Sequence, residues 1–328
     1  MSSCPAVLAV VGPTAAGKSR LAVELAGALG GEIISADSRQ VYRYMDIGTA
    51  KVSNRERGEV PHHLIDVVDP DEPFSLAQFR DLAQAAIRNV HTRGRVPIVV
   101  GGSGLYVRSL TDGLEVPAVP PDAEFRQQMF ARAQAEGGDA LHRELAAIDP
   151  AAAAGIDPRN VRRTIRALEV WRHTGERPSD LQRKAVPPPY RVIKIGLTLD
   201  RSRLYATIDQ RVDRMVEAGL VEEVEALHNR GYGWELTSMS GIGYRQIGGF
   251  LRGACSLNEA VVQTKFATHR FARQQSAWFR SNDAGIRWFE SGTNWAAMVK
   301  EVASVLGDNV PNSDGKGCPA GLPRWQGV

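Results

Sequence analysis

The chain has 328 residues, of which 43% are hydrophobic and 23% are charged, and its formal net charge is +3. This composition is typical of a globular protein that can bury a full core and that contains more than one structural unit. The small net charge does not by itself indicate a nucleic-acid-binding protein. Cys4, Cys255 and Cys318 are single and far apart, which excludes a disulfide framework and a four-ligand zinc site.

The beginning of the chain bears on its compartment. No apolar stretch reaches the roughly 18 residues that a membrane span requires. The first residues, MSSCPAVLAVVGPT, run straight into a glycine-rich loop instead of a cleavable signal. We therefore expect a cytoplasmic protein without a membrane partner.

The first predicted strand is AVLAVV, residues 6–11, and the sequence GPTAAGKS follows it directly. A G-x-x-x-x-G-K-[ST] pattern between a strand and an amphipathic helix predicts a phosphate-binding loop. Its backbone N–H groups and a helix that begins near Lys18 would surround an anion, Lys18 would neutralise phosphate oxygens, and Ser19 would ligate Mg²⁺. The motif leaves open whether the ligand is a nucleoside triphosphate or another diphosphate. The phosphate-binding residues are predicted to be Gly12, Pro13, Thr14, Ala15, Ala16, Gly17, Lys18 and Ser19.

Strands and helices then alternate up to about residue 110, which predicts an α/β fold with a parallel, P-loop NTPase-like sheet flanked by helices. The second strand, EIISAD, ends at Asp37, and VPIVVGG is a later buried strand. Ligands of such sheets bind at the carboxyl ends of the strands, so the phosphate loop, Asp37 and Gly101–Gly104 should share one crevice. Asp37 could hold the metal, act as a base on an acceptor, or only form a turn or cap. The helix between these strands is predicted to start after Ser75, with an apolar stripe of Leu76, Phe79, Leu82, Ala86 and Val90.

The middle of the chain reads as an inserted, mainly helical domain, 113–189. Prolines 117, 120 and 121 mark its first boundary and AVPPPY its second, with helices over about 122–147 and 158–174. The catalytic core would then comprise 1–112 and 190–306. It resumes with the strand RVIKIGLTLD and with helices near Ser202 and Ser256, the latter with a Ser256/Glu259 capping box. The tail, 307–328, is predicted to be disordered.

Two later segments are rich in basic residues. In DPRNVRRTIRALEVW, a helix would carry a stripe of Arg159, Arg162, Arg163 and Arg166 on one face, with no acid among them. Val161, Ile165, Leu168 and Trp171 would lie on the opposite face. Such a stripe could bind RNA phosphates or be a solvated charged face. In KFATHRFARQQSAWFR, contact with phosphates and simple core packing both stay possible. The second segment mixes Lys265, Arg270, Arg273 and Arg280 with Phe266, Phe271, Trp278 and Phe279.

Several long strings, in this order, are similar to those of the tRNA dimethylallyltransferase family, also called tRNA isopentenyltransferases. They are GPTAAGKS, IISADSRQVYRYMDIGTAK, PHHLIDVVDP, VVGGSGLY, RALEVW, GIGYRQ and HRFARQQSAWFR, and they cover roughly residues 7–282. The resemblance implies transfer of the dimethylallyl group of dimethylallyl diphosphate to the exocyclic amine of the adenosine immediately 3′ of a tRNA anticodon. The phosphate loop would then hold the diphosphate of this donor, with Mg²⁺, instead of ATP.

The resemblance also implies roles for single residues. Asp37 would remove the proton of the amine, Ser103 would donate a hydrogen bond near the adenine or the diphosphate, and Arg245 would stabilise the leaving pyrophosphate. Many members have Thr where this chain has Ser103, which keeps the hydroxyl. The expected partners are the tRNA anticodon stem-loop and dimethylallyl diphosphate, and the protein is expected to be a monomer of the bacterial type, without zinc-finger ligands. The tRNA contacts would be Asp37, Ser38, Arg39, Gln40, Ser103, Arg126, Arg159, Arg162, Arg163, Arg166, Gly243, Tyr244 and Arg245.

Three other functions stay open. A small-molecule kinase would share the loop and the sheet, but it gives no reason for the arginine stripe. An adenylate isopentenyltransferase would use related chemistry on free AMP or ATP. A non-enzymatic RNA-binding module would not need an intact phosphate loop.

His62 and His63 have no acidic or cysteine partner at metal-ligand spacing, so we expect them to be structural or to make loop contacts.

Overall fold

The computed structural model describes residues 5–114, 119–183, 186–292 and 295–307. Within them, six parallel strands form one sheet in the spatial order β3-β2-β4-β1-β5-β6. The predicted fold class is confirmed. The strands are β1 (Ala6–Val11), β2 (Gly31–Ser35), β3 (His62–His63), β4 (Val96–Val100), β5 (Arg191–Thr198) and β6 (Ile286–Glu290).

The contacts between the described residues divide them into two compact units, a larger one within Met1–Thr111 and Pro188–Val328 and a smaller one within Asp112–Pro187. The larger unit first contains the helices α1 (Lys18–Leu29), α2 (Asn54–Glu59), α3 (Leu76–Thr92) and α4 (Gly104–Thr111). The smaller unit contains α5 (Ala123–Glu136), α6 (Gly138–Ile148), α7 (Pro150–Ala154), α8 (Val161–Thr174) and α9 (Pro178–Arg183). The larger unit then resumes with α10 (Arg201–Glu217), α11 (Leu220–Asn229), α12 (Tyr244–Leu251), α13 (Leu257–Trp278) and α14 (Trp295–Gly307).

Strand β1 lies at the centre of the sheet and is buried on both faces. Val7, Ala9 and Val11 pack into a cluster with residues of α3 and α4, whereas Leu8 and Val10 pack into a second cluster with residues of α1 and α14. Successive side chains of a strand point to opposite faces, so an uninterrupted apolar run suits a strand that is covered on both sides. This is why AVLAVV forms the middle of a parallel sheet.

Most predicted helix starts are found in the structure. Ser75 and Ser256 each accept a hydrogen bond from the backbone three residues later, and both form complete capping boxes. The helix predicted to start near Ser202 begins at Arg201, because Asp200 is its N-cap and its carboxylate accepts from the backbone N–H of Ser202.

Two local predictions were wrong. Leu82 is 44% exposed, because the buried face of α3 passes through Phe79, Ala83 and Ile87 instead. The single helix predicted over 122–147 is interrupted at Gly137, whose φ of 86° and ψ of 150° separate α5 from α6. A positive φ ends a helix at a residue that has no Cβ.

The smaller unit has its own apolar core, which includes Phe125, Leu141, Leu145, Ile165 and Leu168. The predicted tail lies outside the described residues except for Gly307, which ends α14. Pro117 and the cysteines 4 and 318 also lie outside them, whereas Cys255 is a free thiol. Among the described helices, none is both long and apolar enough to cross a membrane.

Candidate functional site

Three loops line one cavity at the carboxyl edge of the sheet. They follow β1, β2 and β4, as the order of the strands requires. The backbone N–H of Ala36 donates to the Val100 carbonyl over 2.7 Å, and the N–H of Ser38 donates to Ser103 Oγ over 3.2 Å. The ends of β2 and β4 are thereby joined, and the cavity that they line with the phosphate loop measures about 630 Å³.

The phosphate loop needs glycine at two positions. Gly12 has a φ of 133°, and a Cβ on it would lie 2.4 Å from the Leu197 carbonyl oxygen. Gly17, the N-cap of α1, has a φ of 87° and provides no side-chain cap for the first N–H groups of the helix. Uncapped N–H groups at a helix start favour an anion, because they carry the positive end of the helix dipole.

The charge of the cavity is strongly one-sided. Among the described residues that line it, Asp37 is the one carboxylate. A space with this excess of positive charge favours a multiply charged anion. The basic residues that line it are Lys18, Arg20, Arg39, Lys51, Arg211 and Arg214. Of these, Lys51 is paired with Asp46 and Asp66 and Arg20 with Glu24, so the excess comes from the other four.

Lys18 and Arg211 are the cations closest to the loop. Lys18 Nζ donates to the Pro13 carbonyl over 2.7 Å, and Arg211 Nη1 lies 3.4 Å from the Thr14 hydroxyl. Burial lowers the pKa of Lys18 to about 8, with a further lowering by the charge of Arg211, while Asp37 opposes both effects. Burial also lowers the pKa of Arg211. Both cations are half-buried and neither forms an ion pair with a carboxylate among the described residues, so an anionic ligand would compensate them.

Sequence reasoning missed Arg211, although α10 carries a signal. Leu204 and Ile208 are buried, and the same stripe continues at spacings of three and four through Arg211 to Met215. An arginine in the apolar stripe of an amphipathic helix requires a partner on the inner side. The contact with Thr14 spans 197 residues of sequence, so the partner is not visible from the local pattern.

Arg245 was predicted for the role that Arg211 can fill, and the structure does not bring it to the cavity. Helix α12 buries Tyr244, Ile247 and Gly248, which form one face. Arg245 lies on another face of this short helix and is exposed, and it is absent from the residues that line the cavity.

Asp37 lies in the cavity with its orientation fixed. Its Oδ1 accepts the backbone N–H of Arg39 over 2.9 Å, which is a local turn, while Oδ2 has no hydrogen-bond partner among the described residues. Ser38 also lines the cavity. Ser103 does not line it, but its hydroxyl contacts the backbone of Ser38. A held carboxylate with one free oxygen can accept a proton.

The side chains of Arg39 and Gln40 are used mainly inside the protein. The Arg39 guanidinium donates to the Ser238 carbonyl over 3.5 Å and to Ser240 Oγ over 3.4 Å. The Gln40 carboxamide accepts from Ser35 Oγ over 3.0 Å and donates to the Thr49 carbonyl over 3.3 Å. Both residues line the cavity, but these bonds hold its walls.

The predicted contact residues Gly243 and Tyr244 also belong to the wall. The Tyr244 hydroxyl donates to Glu223 Oε1 over 2.6 Å, and the same carboxylate accepts the backbone N–H groups of residues 46, 47 and 48. A Cβ on Gly48 would lie 2.5 Å from the Tyr244 ring. The segment DIGTAK is therefore held against α11 and α12.

A Mg²⁺ ion would find few protein ligands here. The described residues contain no group of three or more His, Cys, Asp or Glu side chains that could hold a metal. Ser19 and Asp37 both line the cavity. Mg²⁺ is usually bound by one or two protein groups together with substrate phosphates and waters, and this donor set fits that mode.

In the smaller unit, the four arginines of the predicted stripe are not equivalent. Glu169, which is fully buried, pairs with Arg166 and also with Arg126, whose Nη2 lies 2.8 Å from Oε2. These bonds lower the pKa of Glu169 to about 2, against the opposing effect of burial. The prediction that no acid interrupts the stripe was wrong, because Glu169 is three residues after Arg166 in α8.

The remaining arginines of the stripe also differ. Arg159 precedes α8 and pairs with Asp157 over 2.7 Å. Arg162 and Arg163 are exposed and form no ion pair with the described residues. Trp171, predicted for the apolar face, is 40% exposed. Two arginines, instead of four, are therefore freely available on this helix.

The segment KFATHRFARQQSAWFR, in which basic and aromatic residues alternate, lies on helix α13 and just after it, and its residues also differ in exposure. Phe279, directly after the helix, is buried, whereas Phe266 is 65% exposed, so core packing does not account for all of its aromatic residues. Lys265 pairs with Asp213 over 2.7 Å, and Arg273 Nη1 donates to the Tyr205 hydroxyl over 2.9 Å. Trp278 and Phe271 are partly exposed, and Arg270 and Arg280 are exposed.

The two histidines contact neighbouring groups of the protein, and His62 also lines the cavity. His62 and His63 form β3, at the edge of the sheet. His62 Nδ1 lies 2.7 Å from the Val60 carbonyl oxygen, and His63 Nε2 lies 2.7 Å from Glu32 Oε2.

Comparison with known proteins agrees with the family resemblance of the sequence strings. The family model described as IPP transferase matches residues 40–282. A protein of Roseiflexus castenholzii named tRNA dimethylallyltransferase is 54% identical over 84% of this chain and 89% of its own length, and one of Thermomicrobium roseum with the same name is 50% identical over 90% and 89%. The solved structure of a full-length tRNA isopentenylpyrophosphate transferase from Bacillus halodurans is 42% identical, with a TM-score of 0.68 and coverage of 92% and 95%. A eukaryotic dimethylallyltransferase acting on tRNA has a TM-score of 0.78 at 25% identity, over 95% of this chain and 81% of its own. The chain belongs to the IPP transferase family.

Proposed function

We propose that this protein transfers the dimethylallyl group from dimethylallyl diphosphate to the exocyclic amine of the adenosine immediately 3′ of the anticodon in tRNA, with release of pyrophosphate. The observation that carries the proposal is the cavity at the carboxyl edge of the sheet, where the phosphate loop, Lys18 and Arg211 surround a space that Asp37 also lines. The cations suit a diphosphate, and the carboxylate suits an amine acceptor. The names of the relatives support tRNA as the substrate.

The donor would bind in two parts. The backbone of the phosphate loop, Lys18 and Arg211 would hold the diphosphate, because they are the desolvated cations and N–H groups of the cavity. The hydrocarbon part requires an apolar wall, and α10 contributes Ile208, Val212 and Met215 to the same cavity. Mg²⁺, when bound with the donor, would be held by Ser19 and the diphosphate and would offset charge on the leaving group.

In the transfer step, a bond forms between the amine nitrogen and the first carbon of the dimethylallyl group while the bond from that carbon to the diphosphate oxygen breaks. The exocyclic amine of adenine is a poor nucleophile because its lone pair is delocalised into the ring. Asp37 Oδ2 would take the proton that the nitrogen loses, and Oδ1 stays bound to the N–H of Arg39. Lys18 and Arg211 would stabilise the charge that develops on pyrophosphate.

The smaller unit would contribute binding of tRNA. Arg162 and Arg163 are exposed on α8, whereas Arg126 and Arg166 are bound by Glu169. Exposed arginines on one helix surface bind phosphates through charge and counterion release. We therefore assign the RNA contact of this helix to Arg162 and Arg163 and give Arg126 and Arg166 a role in holding the helix.

The proposal predicts the identity of the acceptor. With isotopically labelled dimethylallyl diphosphate and Mg²⁺, we expect the label in tRNA and, after digestion, in one prenylated adenosine by mass spectrometry. Free AMP or ATP should take no label, and ATP should not stimulate the reaction. If AMP takes the label and tRNA does not, the protein is an adenylate isopentenyltransferase. ATP-dependent phosphorylation of a substrate would establish a kinase.

The same assay tests the base. Asp37→Asn should lower the single-turnover rate by a factor of about 10²–10⁴, which is the usual contribution of a positioned base, while the Kd for tRNA stays unchanged. Asp71→Asn, at an exposed carboxylate that does not line the cavity, is the matched control and should keep the normal rate.

Binding of inorganic pyrophosphate should depend on pH through Lys18. Its pKa is about 8 in the free protein, and a bound anion would raise it. The affinity contributed by Lys18 is therefore fully present below about pH 8 and falls by up to tenfold per pH unit above it. Pyrophosphate itself titrates in this range, so the measurement is the ratio of Kd values for wild type and Lys18→Arg, by calorimetry. We expect this ratio to rise with pH, and a constant ratio would contradict the assignment.

Arg211 and Arg245 should differ in their effect on the diphosphate. Arg211→Gln removes a charged donor beside Thr14 and should raise the Kd for pyrophosphate roughly 10- to 100-fold, the value of a charge-assisted hydrogen bond of about 1.5–3 kcal/mol. Arg245→Gln, at an exposed position outside the cavity lining, should change it by less than about twofold. The opposite order of effects would restore Arg245 as the diphosphate ligand.

Removal of the two free arginines should change the salt dependence of tRNA binding. For Arg162→Ala with Arg163→Ala, the slope of log K against log salt should become shallower by roughly 1.5, since each phosphate contact contributes about 0.7–0.9. The melting temperature should stay the same, because both side chains are exposed. Arg143→Ala, at an exposed arginine on α6, is the control and should leave the slope unchanged. Equal slopes for the double variant and wild type would identify a merely solvated surface.

A further inference from the structure

We propose that Gln275 is a positioning residue that fixes the separation between the phosphate loop and the loop 101–104, and thereby the distance between donor and acceptor. The inference rests on the proposed function, because it concerns how the two substrates of that reaction meet. Gln275 has a buried side-chain amide that is part of neither the phosphate-loop motif nor the transfer step described above.

Gln275 connects the two loops with the two ends of one amide group. It lies on α13 and is 4% exposed. Its Oε1 accepts the backbone N–H of Thr14 over 2.7 Å, and its Nε2 donates to the carbonyl of Gly102 over 3.1 Å. A carboxamide presents an acceptor and donors on one rigid plane, so it can hold an N–H and a C=O at a set distance.

Each end of this connection leads to a group of the proposed reaction. On the donor side, the hydroxyl of Thr14 lies 3.4 Å from Arg211 Nη1. On the acceptor side, Gly102 precedes Ser103, whose hydroxyl accepts from the backbone N–H of Ser38, the neighbour of Asp37. The Gln275 amide is therefore the middle of a continuous path from the diphosphate cation to the base.

The surrounding residues leave this amide little freedom. A Cβ on Gly102 would lie 2.0 Å from Gln275 Nε2, and a Cβ on Gly101 would lie 2.1 Å from the Ala36 carbonyl oxygen. One turn further along α13, Trp278 packs on Gly104 so closely that a Cβ there would lie 2.3 Å from its ring. The loop is thus pressed against β2 on one side and against α13 on the other.

A purely structural role makes a different prediction from a positioning role. If Gln275 only satisfied buried backbone groups, its loss would lower stability, the affinities for both ligands and the rate together. If it sets the distance between the reacting atoms, its loss would lower the rate while each substrate still binds its own half of the cavity. A displacement of about 1 Å costs on the order of 10²-fold in rate.

The experiment compares Gln275→Met, which keeps the length of the side chain without its hydrogen bonds, with Gln274→Met at the exposed neighbouring position. We expect a single-turnover rate about 100-fold lower for Gln275→Met, with Kd values for pyrophosphate and tRNA within about threefold of wild type, and a normal rate for Gln274→Met. A normal rate for Gln275→Met would overturn the inference, and so would a parallel loss of rate, both affinities and melting temperature.

A second variant perturbs the same contact from the other side. Gly102→Ala should displace the carboxamide and cause a similar loss of rate, because its Cβ would occupy the position of Nε2. In a Gln275→Ala background the same change has room, so the double variant should be no slower than Gln275→Ala alone. Additive losses would contradict a shared contact.

Hydrogen exchange separates failure of this inference from failure of the proposed function. The backbone N–H of Thr14 should exchange slowly in wild type and faster in Gln275→Met, whether or not the protein transfers a dimethylallyl group. Wild type that labels no tRNA would refute the function alone. Equal exchange of Thr14 in wild type and variant would refute the connection alone.

Discussion

The site depends on two half-buried cations, Lys18 and Arg211, that have no carboxylate partner among the described residues. Lys18 and Arg211 are both desolvated, and the effect is large enough to lower the pKa of the lysine to about 8. The uncapped start of α1 adds further positive potential at the same place. Positive charge that is partly withdrawn from water without an ion-pair partner costs free energy, and an anionic ligand would offset this cost. Asp37, as the one carboxylate of the described lining, moderates this potential without neutralising it.

Local sequence patterns correctly predicted the features that are determined by residues close together in the chain. The run AVLAVV, the capping boxes at Ser75 and Ser256 and the phosphate loop each contain their own explanation within a few residues. Arg211 and Gln275 could not be assigned in this way, because their partners near Thr14 are 197 and 261 residues away. Both are polar residues on a buried helix face, which is the only local sign that they have distant partners.

The smaller unit illustrates why counting charges along a helix is insufficient. A helical projection of α8 correctly places Ile165 and Leu168 on the buried face, but it does not show that Trp171 is exposed or which arginines are already paired with an acid. Glu169 pairs with Arg166 of α8 and also with Arg126 of α5, and its own fully buried position is possible only because it is paired in this way. Arg162 and Arg163 are exposed, and no described acid forms an ion pair with them.

Not every sequence string that carries the family resemblance has to take part in the reaction; some can be required for the fold. Gly48, in DIGTAK, has no side chain because the ring of Tyr244, in GIGYRQ, occupies the space, and Glu223 binds both segments through one carboxylate. The guanidinium of Arg39 likewise holds the segment that precedes α12. The segments DIGTAK and GIGYRQ are therefore in direct contact, so a substitution in one segment requires a matching substitution in the other. Arg245, exposed within the same string, takes no part in this fit, and its place in GIGYRQ is therefore not an argument that it contacts the diphosphate.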